Sequence, residues 1–184
     1  MLQANFTPFP YLNTQRCQLR PVRKEDVDEL FELRTNEQVL QYLDREKMQT
    51  KEEALAMIDK IIAAERNNET INWAISLHSN DRMIGSIAYW RIIKEHYRAE
   101  IGYNLLPAYW SQGIMSEVMQ AVIPFGFEKI GLHSIEANVN PHNTASIRLL
   151  EKNGFVREAY FKENYFFRGK FLDSAVYSLL APRK

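Results

Sequence analysis

The chain has 184 residues, of which 23 are Lys or Arg, 23 are Asp or Glu and one is Cys. This length predicts a single domain over residues 1–184. One cysteine excludes both an internal disulfide framework and a zinc site built on cysteine clusters. A net charge of zero argues against direct nucleic-acid binding, which usually goes with a basic pI. No apolar run approaches the ~18 residues that cross a bilayer, so no membrane partner is expected.

The first residues predict an extended N-terminal arm over positions 1–13. Pro8 and Pro10 disfavour a helix there and hold the chain extended. The arm has no basic region followed by an apolar stretch, so no signal peptide is predicted. Together with the single unpaired thiol of Cys17, this favours a cytoplasmic location.

The next segment predicts one strand followed by two helices. Residues 16–22 form the predicted strand, and residues 24–34 carry apolar side chains at helical spacing. Thr50 and Glu53 match a Thr-x-x-Glu capping box, which predicts the start of the second helix. The predicted apolar face of that helix contains Leu55, Ile58, Ile61 and Ile62.

The hydrophobic pattern then changes from helical spacing to strict alternation. Residues 71–77 alternate between apolar and polar side chains, as in a half-buried strand. The turn residues 79–81 separate this strand from a second one at 83–93. A third strand at 98–105 completes an antiparallel meander, which Pro107 ends.

The last part of the chain mixes helices and strands. A helix begins near Gly113, and Pro124 inside its apolar pattern predicts a kink or local break. The remaining predicted elements are a strand at 133–140, a helix at 143–153 with Gly154 after it, and strands at 155–161 and 171–180. This order predicts an α+β, or mixed α/β, domain around one central sheet.

The segment from Asn104 to Glu117, NLLPAYWSQGIMSE, predicts a strand, a turn with a glycine and then a helix. The first turn of such a helix has free backbone N–H groups and the positive end of the helix dipole, which together can bind phosphate. Gly113 would let a ligand approach the backbone closely. An ordinary strand-to-helix turn explains the same residues. The segment is neither a Walker A loop nor a dinucleotide fingerprint.

A longer stretch, AEIGYNLLPAYWSQGIMSE, closely resembles the acetyl-CoA-binding segment of the GNAT superfamily of N-acetyltransferases. It is most similar to the Rim-type branch, which acetylates the N-termini of ribosomal proteins. The resemblance extends over about Thr14 to Leu180. It continues in Thr14-x-Arg16, Leu19-Arg20-Pro21, Asn140-Pro141-x-Asn143-x-x-Ser146, Leu149-Leu150-Glu151-Lys152-x-Gly154-Phe155, Arg168-Gly169-Lys170-x-x-Asp173 and Tyr177-Ser178-Leu179.

This resemblance implies a largely antiparallel, twisted sheet of about seven strands with about four helices, and acyl-CoA bound at a splayed pair of central strands. It implies an acetyl-CoA-dependent N-acetyltransferase without a metal, in which a primary amine attacks directly within a ternary complex. The expected acceptor is a protein N-terminal α-amine, such as that of a ribosomal protein. A polyamine, amino acid or antibiotic is the alternative acceptor, and a non-catalytic acyl-CoA-binding module is a third hypothesis. Many relatives are dimers, so a homodimer stays open.

The resemblance also assigns residues to acetyl-CoA. The pantetheine arm would lie along Asn104, Leu105 and Leu106, and Asn143 would hold the same arm. Asn143 is equally explained as a helix N-cap. Met115 replaces the family's usual small residue and is expected to point away from the phosphates. The pyrophosphate would bind the backbone N–H groups of Gln112, Gly113, Ile114, Met115 and Ser116, with a further contact from the Ser116 hydroxyl.

Two further residues are candidates for catalysis. Glu100 is the candidate general base, acting directly or through a water, with Glu136 as its rival. A solvent-facing strand glutamate, or one paired with Arg98 or Arg91, explains Glu100 as well. Ser146 is the candidate donor to the CoA thiolate, or else a structural hydroxyl. The tyrosine that many family members use for that step is replaced by leucine at position 150.

Charge is distributed unevenly along the chain. From Lys24 to Glu69 there are seven basic and 13 acidic residues, a net charge of −6. From Arg148 to Lys184 there are eight basic and four acidic residues, a net charge of +4. An acidic acceptor entrance would suit a cationic amine, and a basic end would suit CoA phosphates. Ordinary solvated helix faces explain the same bias.

Overall fold

A computed structural model describes residue 2 and residues 4–182 of the chain. Positions 1 and 3 of the predicted arm lie outside the described residues, as do positions 183 and 184 of the predicted domain and basic segment. The strands are β1 (Leu12–Asn13), β2 (Cys17–Pro21), β3 (Ile71–Leu77), β4 (Asn80–Ile93), β5 (Arg98–Leu105), β6 (Ser134–Val139), β7 (Val156–Phe167) and β8 (Lys170–Leu180).

All of these strands form one sheet in the order β1-β2-β3-β4-β5-β6-β8-β7. Every neighbouring pair is antiparallel except β5 and β6, which are parallel. The sheet therefore has eight strands where about seven were expected. The additional strand comes from the N-terminal arm, because Leu12 pairs with Leu19 at the sheet edge. The described part of the arm is thus extended and partly hydrogen-bonded.

The described residues form five α-helices rather than about four. They are α1 (Val27–Thr35), α2 (Glu37–Leu40), α3 (Lys51–Arg66), α4 (Ile114–Pro124) and α5 (Thr144–Lys152). The sequence pattern did not predict α2, because four residues are too few to show a helical period. Its start is nevertheless local, since the Asn36 side chain accepts hydrogen bonds from the N–H groups of Gln38 and Val39. None of these helices is both long and apolar enough to span a membrane.

The helices cover the two faces of the sheet. On one face, buried residues of α1 and α3 pack against Ala74 of β3. On the other face, buried residues of α4 and α5 pack against Trp73 and Ile75 of the same strand. Successive side chains of a strand point to opposite faces, so β3 separates two hydrophobic layers.

Helix α3 begins at its predicted cap and packs most of its predicted apolar face, Ile58, Ile61 and Ile62, against the core; Leu55 is the exception. The Thr50 hydroxyl accepts from the N–H of Glu53, while the Glu53 carboxylate accepts from the N–H of Gln49 rather than that of Thr50. The reciprocal half of the capping box is therefore displaced by one residue. Ile58 is buried as predicted, but Ala54 is buried where Leu55 was expected, and Leu55 is 37% exposed. One residue corresponds to about 100° around a helix, which turns Leu55 toward solvent.

Pro124 changes the type of helix without ending the helical segment. Helix α4 ends at Pro124 and a π-helix continues directly over Phe125–Ile130. Proline has no N–H to donate to the preceding turn, and π segments occur where that regular ladder is interrupted. The predicted kink or local break is thus a local widening of the helix.

The final hairpin is longer than predicted. Strand β7 runs to Phe167, beyond the predicted end at Phe161, with a shift of register between Phe161 and Tyr165. Arg168 and Gly169, both at positive φ, form the two-residue turn into β8. Consecutive positive φ angles suit the right-handed twist of a tight hairpin, so pairing continues up to the turn.

Candidate active site

The site is built around a gap between the two parallel strands. Strands β5 and β6 pair over only three positions, the last of which joins Glu100 to Glu136. Beyond that point β5 continues to Leu105 and β6 to Val139 without pairing to each other. The sheet therefore opens at Glu100, as expected for a splayed pair of central strands. The open edge of β5 leaves backbone groups that an extended ligand could pair with.

Glu100 lies at the closed end of this gap and is only 8% exposed, so it does not face solvent. Its carboxylate accepts from Arg91 Nη1 at 3.1 Å. Burial raises the pKa of the Glu100 carboxyl; the Arg91 charge lowers it, and the neighbouring Glu136 raises it. A carboxyl with a raised pKa can exchange a proton closer to neutral pH than an ordinary glutamate.

Of the two arginines proposed as partners of Glu100, the structure selects Arg91. Arg98 instead bonds to Glu136, with Nη2 2.9 Å from the carboxylate oxygen. Each acidic residue at the gap therefore has its own guanidinium group. The two arginines are on different strands, β4 and β5.

Ser146 and Asn143 both lie at the start of α5. The Asn143 side chain accepts from the Ser146 N–H at 3.0 Å, so Asn143 is the helix N-cap. The Ser146 hydroxyl lies 2.6 Å from the hydroxyl of Tyr103 on β5. Burial raises the pKa of Tyr103 to about 12, although its bond to Ser146 works in the opposite direction. Leu150, one turn further along α5, is fully buried in the core.

Tyr103 was not predicted as a site residue. The alternation of side chains along residues 98–105 places Tyr103 on the opposite face of β5 from Glu100. The alternation alone could have predicted that Tyr103 and Glu100 lie on opposite faces. It could not have predicted which residue the Tyr103 side chain contacts. Its partner, Ser146, comes 43 residues later in the chain.

The two groups of site residues therefore lie on opposite faces of the sheet. Glu100 shares a face with Asn104, which pairs with Ser86 of β4, and Ser86 pairs with Ala74 on the α1 and α3 side. Tyr103 packs against the core on the α4 and α5 side. The gap between β5 and β6 is where both faces can reach one ligand.

Several polar groups of the residues expected along the pantetheine arm already form hydrogen bonds with other residues of the chain. The Asn104 side chain accepts from both the N–H and the hydroxyl of Ser86. Trp110 Nε1 donates to the Leu105 carbonyl at 2.7 Å, and the Leu106 N–H donates to the Ile84 carbonyl at 2.8 Å. The Leu106 carbonyl in turn accepts from the Tyr109 N–H at 3.0 Å.

The predicted turn into α4 is present. Gly113 has a φ of +75°, which favours glycine, and it is the residue just before the helix. The first regular helical bond runs from the Glu117 N–H to the Gly113 carbonyl, so the N–H groups of Ile114, Met115 and Ser116 precede that ladder. The Met115 side chain is buried in the core.

Two further observations fit an anionic ligand at this turn. The buried Ser116 hydroxyl has no hydrogen-bond partner within the described part of the chain. Arg16, which was not predicted as a site residue, donates from Nη1 to the Gln112 carbonyl and from Nε to the Glu117 carboxylate. The Gln112 side chain donates to the Ala108 carbonyl. The Arg16 guanidinium therefore links the two sides of the turn, and the buried Ser116 hydroxyl is available to a ligand. Both features suit the CoA pyrophosphate.

No metal centre emerges among the residues that the structure describes. No three His, Cys, Asp or Glu side chains there are grouped so that they could hold an ion. Cys17 is buried, and burial raises the pKa of its thiol.

Comparisons with known proteins agree with this geometry. Residues 16–156 match the family model described as an acetyltransferase (GNAT) domain. The chain is 36% identical over 176 residues to the uncharacterized N-acetyltransferase YoaA of Bacillus subtilis. The alignment covers 96% of this chain and 99% of that protein.

Solved structures share the fold, and two of them are described here. One is RimL, a ribosomal L7/L12 alpha-N-protein acetyltransferase in complex with coenzyme A, with 22% identity, a TM-score of 0.85, and coverage of 93% of this chain and 98% of that one. The other is spermidine N-acetyltransferase from Vibrio cholerae in complex with CoA and spermine, with 22% identity, a TM-score of 0.80, and coverage of 89% and 95%.

Proposed function

Because the chain belongs to the GNAT family of acetyltransferases, we propose that it transfers the acetyl group of acetyl-CoA to a protein N-terminal α-amine, such as that of a ribosomal protein. The observation that carries the proposal is the gap between β5 and β6, with buried Glu100 at its closed end and the Tyr103–Ser146 pair on the other face. An amine and a thioester meeting in this gap would have a proton acceptor on one side and a proton donor on the other.

Acetyl-CoA would bind with its pyrophosphate at the start of α4 and its pantetheine arm along β5. The N–H groups of Ile114, Met115 and Ser116, with the Ser116 hydroxyl, would bind the pyrophosphate. The unpaired edge of β5 would then pair with the pantetheine amides like an added strand. This arrangement brings the acetyl group to the point where β5 and β6 separate. Backbone N–H groups there could stabilise the developing charge on the carbonyl oxygen.

Glu100 would remove a proton from the incoming ammonium, directly or through a water. Its burial supports this role, because a raised pKa makes the carboxylate a stronger base. Glu136 is the weaker candidate because it is more exposed and forms an ion pair with Arg98. In this proposal Glu136 acts on Glu100 through its charge and does not take the proton itself.

Ser146 would donate its hydroxyl proton toward the departing thiolate. Tyr103 supports this role, since a donor behind Ser146 would leave the serine proton directed at the sulfur. The buried Leu150 side chain has no group that could transfer a proton. The Tyr103–Ser146 pair would thus take the place of the tyrosine that many relatives carry at position 150.

The acceptor distinguishes two candidate functions. The relative solved with spermine acts on a polyamine, and the acidic segment from Lys24 to Glu69 would favour such a cation. RimL, which shares this fold, acts on a protein N-terminus, and a protein acceptor is the one proposed here. A ribosomal-protein acceptor would be met in the cytoplasm, where a buried free thiol such as that of Cys17 is common.

The test is acetyl transfer from acetyl-CoA to a broad panel of peptides with free N-termini, followed as thiol release. Mass spectrometry should place the acetyl group on the α-amine rather than on lysine. A parallel panel of polyamines, amino acids and aminoglycosides addresses the alternative acceptors. Thiol release above background with the small amines alone would replace the protein acceptor by a small molecule.

A further inference from the structure

Two arginines near the acceptor side of the gap have no anionic partner. Arg34 is in the last turn of α1, four residues after the buried Leu30, so it lies on the same face of the helix as Leu30. Its Nε is buried and has no hydrogen-bond partner within residue 2 and residues 4–182. Among the ion pairs of the described residues, none includes Arg34 or Arg45.

Arg45 lies in the loop between α2 and α3, where the other charged side chains have partners. Asp44 accepts from Asn140, Glu46 pairs with Arg168 and Lys47 pairs with Glu37. Two backbone groups of the loop also form hydrogen bonds with neighbouring elements. The Met48 N–H donates to the Arg34 carbonyl at 3.1 Å, and the Tyr165 hydroxyl donates to the Asp44 carbonyl at 3.0 Å. Arg45 is thus left unpaired in a segment that is otherwise held in place.

The loop lies on the same face of the sheet as Glu100. Asn140 follows Glu136 at an even spacing along the line of β6, and Glu136 is the register partner of Glu100. The bond from Asn140 to Asp44 therefore joins the loop to the acceptor face of the gap. Arg45 is the next residue after Asp44, and its charge is close enough to Glu100 to lower the pKa of that carboxyl.

The same charge acts on Arg34. Burial, together with the nearby charge of Arg45, lowers the pKa of Arg34 to about 10. A half-buried guanidinium beside a second one is unfavourable without an anion, because desolvation and repulsion add. A carboxylate is the natural complement, since its two oxygens match the fork of N–H donors on a guanidinium.

We propose that Arg34 and Arg45 bind a carboxylate of the acceptor, so that the substrate is an amine that also carries a negative charge. The inference rests on the proposed acetyl transfer to an N-terminal amine and specifies which N-termini are preferred. Peptides with an acidic side chain in their first residues have the required chemistry, as do free amino acids. Polyamines lack it. An acidic entrance and a pair of arginines behind it would together select an acceptor with both charges.

The experiment compares acceptors that differ only in charge. One pair is a hexapeptide with Glu at its second position and the same peptide with Gln there. A second pair is free alanine and alaninamide, which tests whether the carboxylate belongs to a peptide side chain or to an amino acid. We expect wild-type kcat/KM to favour one carboxylate member over its neutral partner by about tenfold, the effect of one charge-assisted contact.

The variants Arg34→Met and Arg45→Gln should each bring this preference close to one. Arg45 is exposed, so Arg45→Gln should fold even if Arg34→Met does not. Arg82→Gln is the matched control, because Arg82 is an exposed arginine already paired with Glu29 and Glu32. It should keep the wild-type preference.

The carboxylate site and the acetyltransferase activity would be contradicted by different results. Turnover of peptides with equal rates for the Glu and Gln members, and equal rates for alanine and alaninamide, overturns the carboxylate site and leaves the acetyltransferase proposal intact. A preference that survives in Arg45→Gln and Arg34→Met also overturns it. Absence of thiol release with every acceptor overturns both.

Discussion

The hydroxyl oxygens of Tyr103 and Ser146 lie 2.6 Å apart and join strand β5 to the first turn of α5. Either hydroxyl can donate in this bond, but only one does so at a time. With Tyr103 as the donor, the serine proton remains available for a third group. The raised pKa of Tyr103, about 12, keeps the phenol protonated around neutral pH and able to donate.

We expect Ser146→Ala to lower kcat by about 10²-fold if its hydroxyl protonates the thiolate. Tyr103→Phe should lower kcat by less, because it removes the group behind the donor rather than the donor itself. The double variant should be no slower than Ser146→Ala, since the tyrosine acts only through the serine. Steady-state kinetics at saturating acetyl-CoA measure all three. Independent, additive losses would mean that Tyr103 does not work through Ser146.

Replacement of Glu100 by Gln should reduce turnover by about 10²-fold or more, because the amide cannot accept the amine proton. Glutamine can still accept the hydrogen bond from Arg91, so the local structure should persist. Glu136→Gln is the matched control on the neighbouring strand and should have a much smaller effect. The measurement is kcat at saturating concentrations of both substrates. Near-normal turnover of Glu100→Gln would remove this residue from the role of base.

The pH dependence of kcat/KM should report the same carboxyl. Activity requires ionised Glu100, so it should rise with pH through the pKa of that residue. Arg91→Met removes a positive charge that lowers this pKa, and the rise should move to higher pH. Glu136→Gln removes a negative charge that raises it, and the rise should move to lower pH. If the rise stays at one pH in wild type and both variants, a different group controls it.

Alanine substitutions at Gly113 and Gly169 test whether the turn at the start of α4 binds CoA. Gly113→Ala places a side chain at a φ of +75°, which costs about 1 kcal/mol in backbone strain, although the added Cβ would meet only Arg16 Nη2 at 3.7 Å. Gly169 in the last hairpin has a similar φ of +77° and open space around it. Both alanine variants should lose similar stability in thermal unfolding. Only Gly113→Ala should raise the KM for acetyl-CoA, by several-fold, and equal KM values would separate the turn from CoA binding.

The stability of the chain should depend on Glu65 in the last turn of α3. Burial raises the pKa of this carboxyl to about 7, although a hydrogen bond from the Asn72 N–H lowers it. Its folded form therefore binds a proton more tightly than the unfolded chain. The stability gained at low pH is lost as pH rises from the ordinary glutamate value through about 7.

Glu65→Gln should consequently raise the free energy of unfolding at pH 8 by about 1–2 kcal/mol and have little effect at pH 4. Urea unfolding at the two pH values gives both quantities. Glu69→Gln changes an exposed carboxylate close by and should leave the free energy of unfolding nearly constant. A gain for Glu65→Gln of the same size at pH 4 would point to packing rather than to ionisation.

Several elements could be predicted because their causes are local. The strand at 71–77 follows from alternation, the start of α3 from the Thr50 cap, and the turn before α4 from Gly113. Predictions failed where local patterns carry little information. Leu55 and Ala54 are both apolar, so only packing determined which of them is buried. Helix α2 and strand β1 were too short to show a period.

By itself, the sequence determined the order of helices and strands apart from β1 and α2, the family, and the residue types available at the site. Only the tertiary structure decided which of these residues meet. It paired Glu100 with Arg91 and Arg98 with Glu136, brought Tyr103 to Ser146, and left Arg34 Nε without a hydrogen-bond partner among the described residues. The physical reason is that such contacts depend on strand order and on which face of the sheet each helix covers. Neither is encoded in the spacing of neighbouring residues, because side chains far apart in the chain become neighbours only when the sheet assembles.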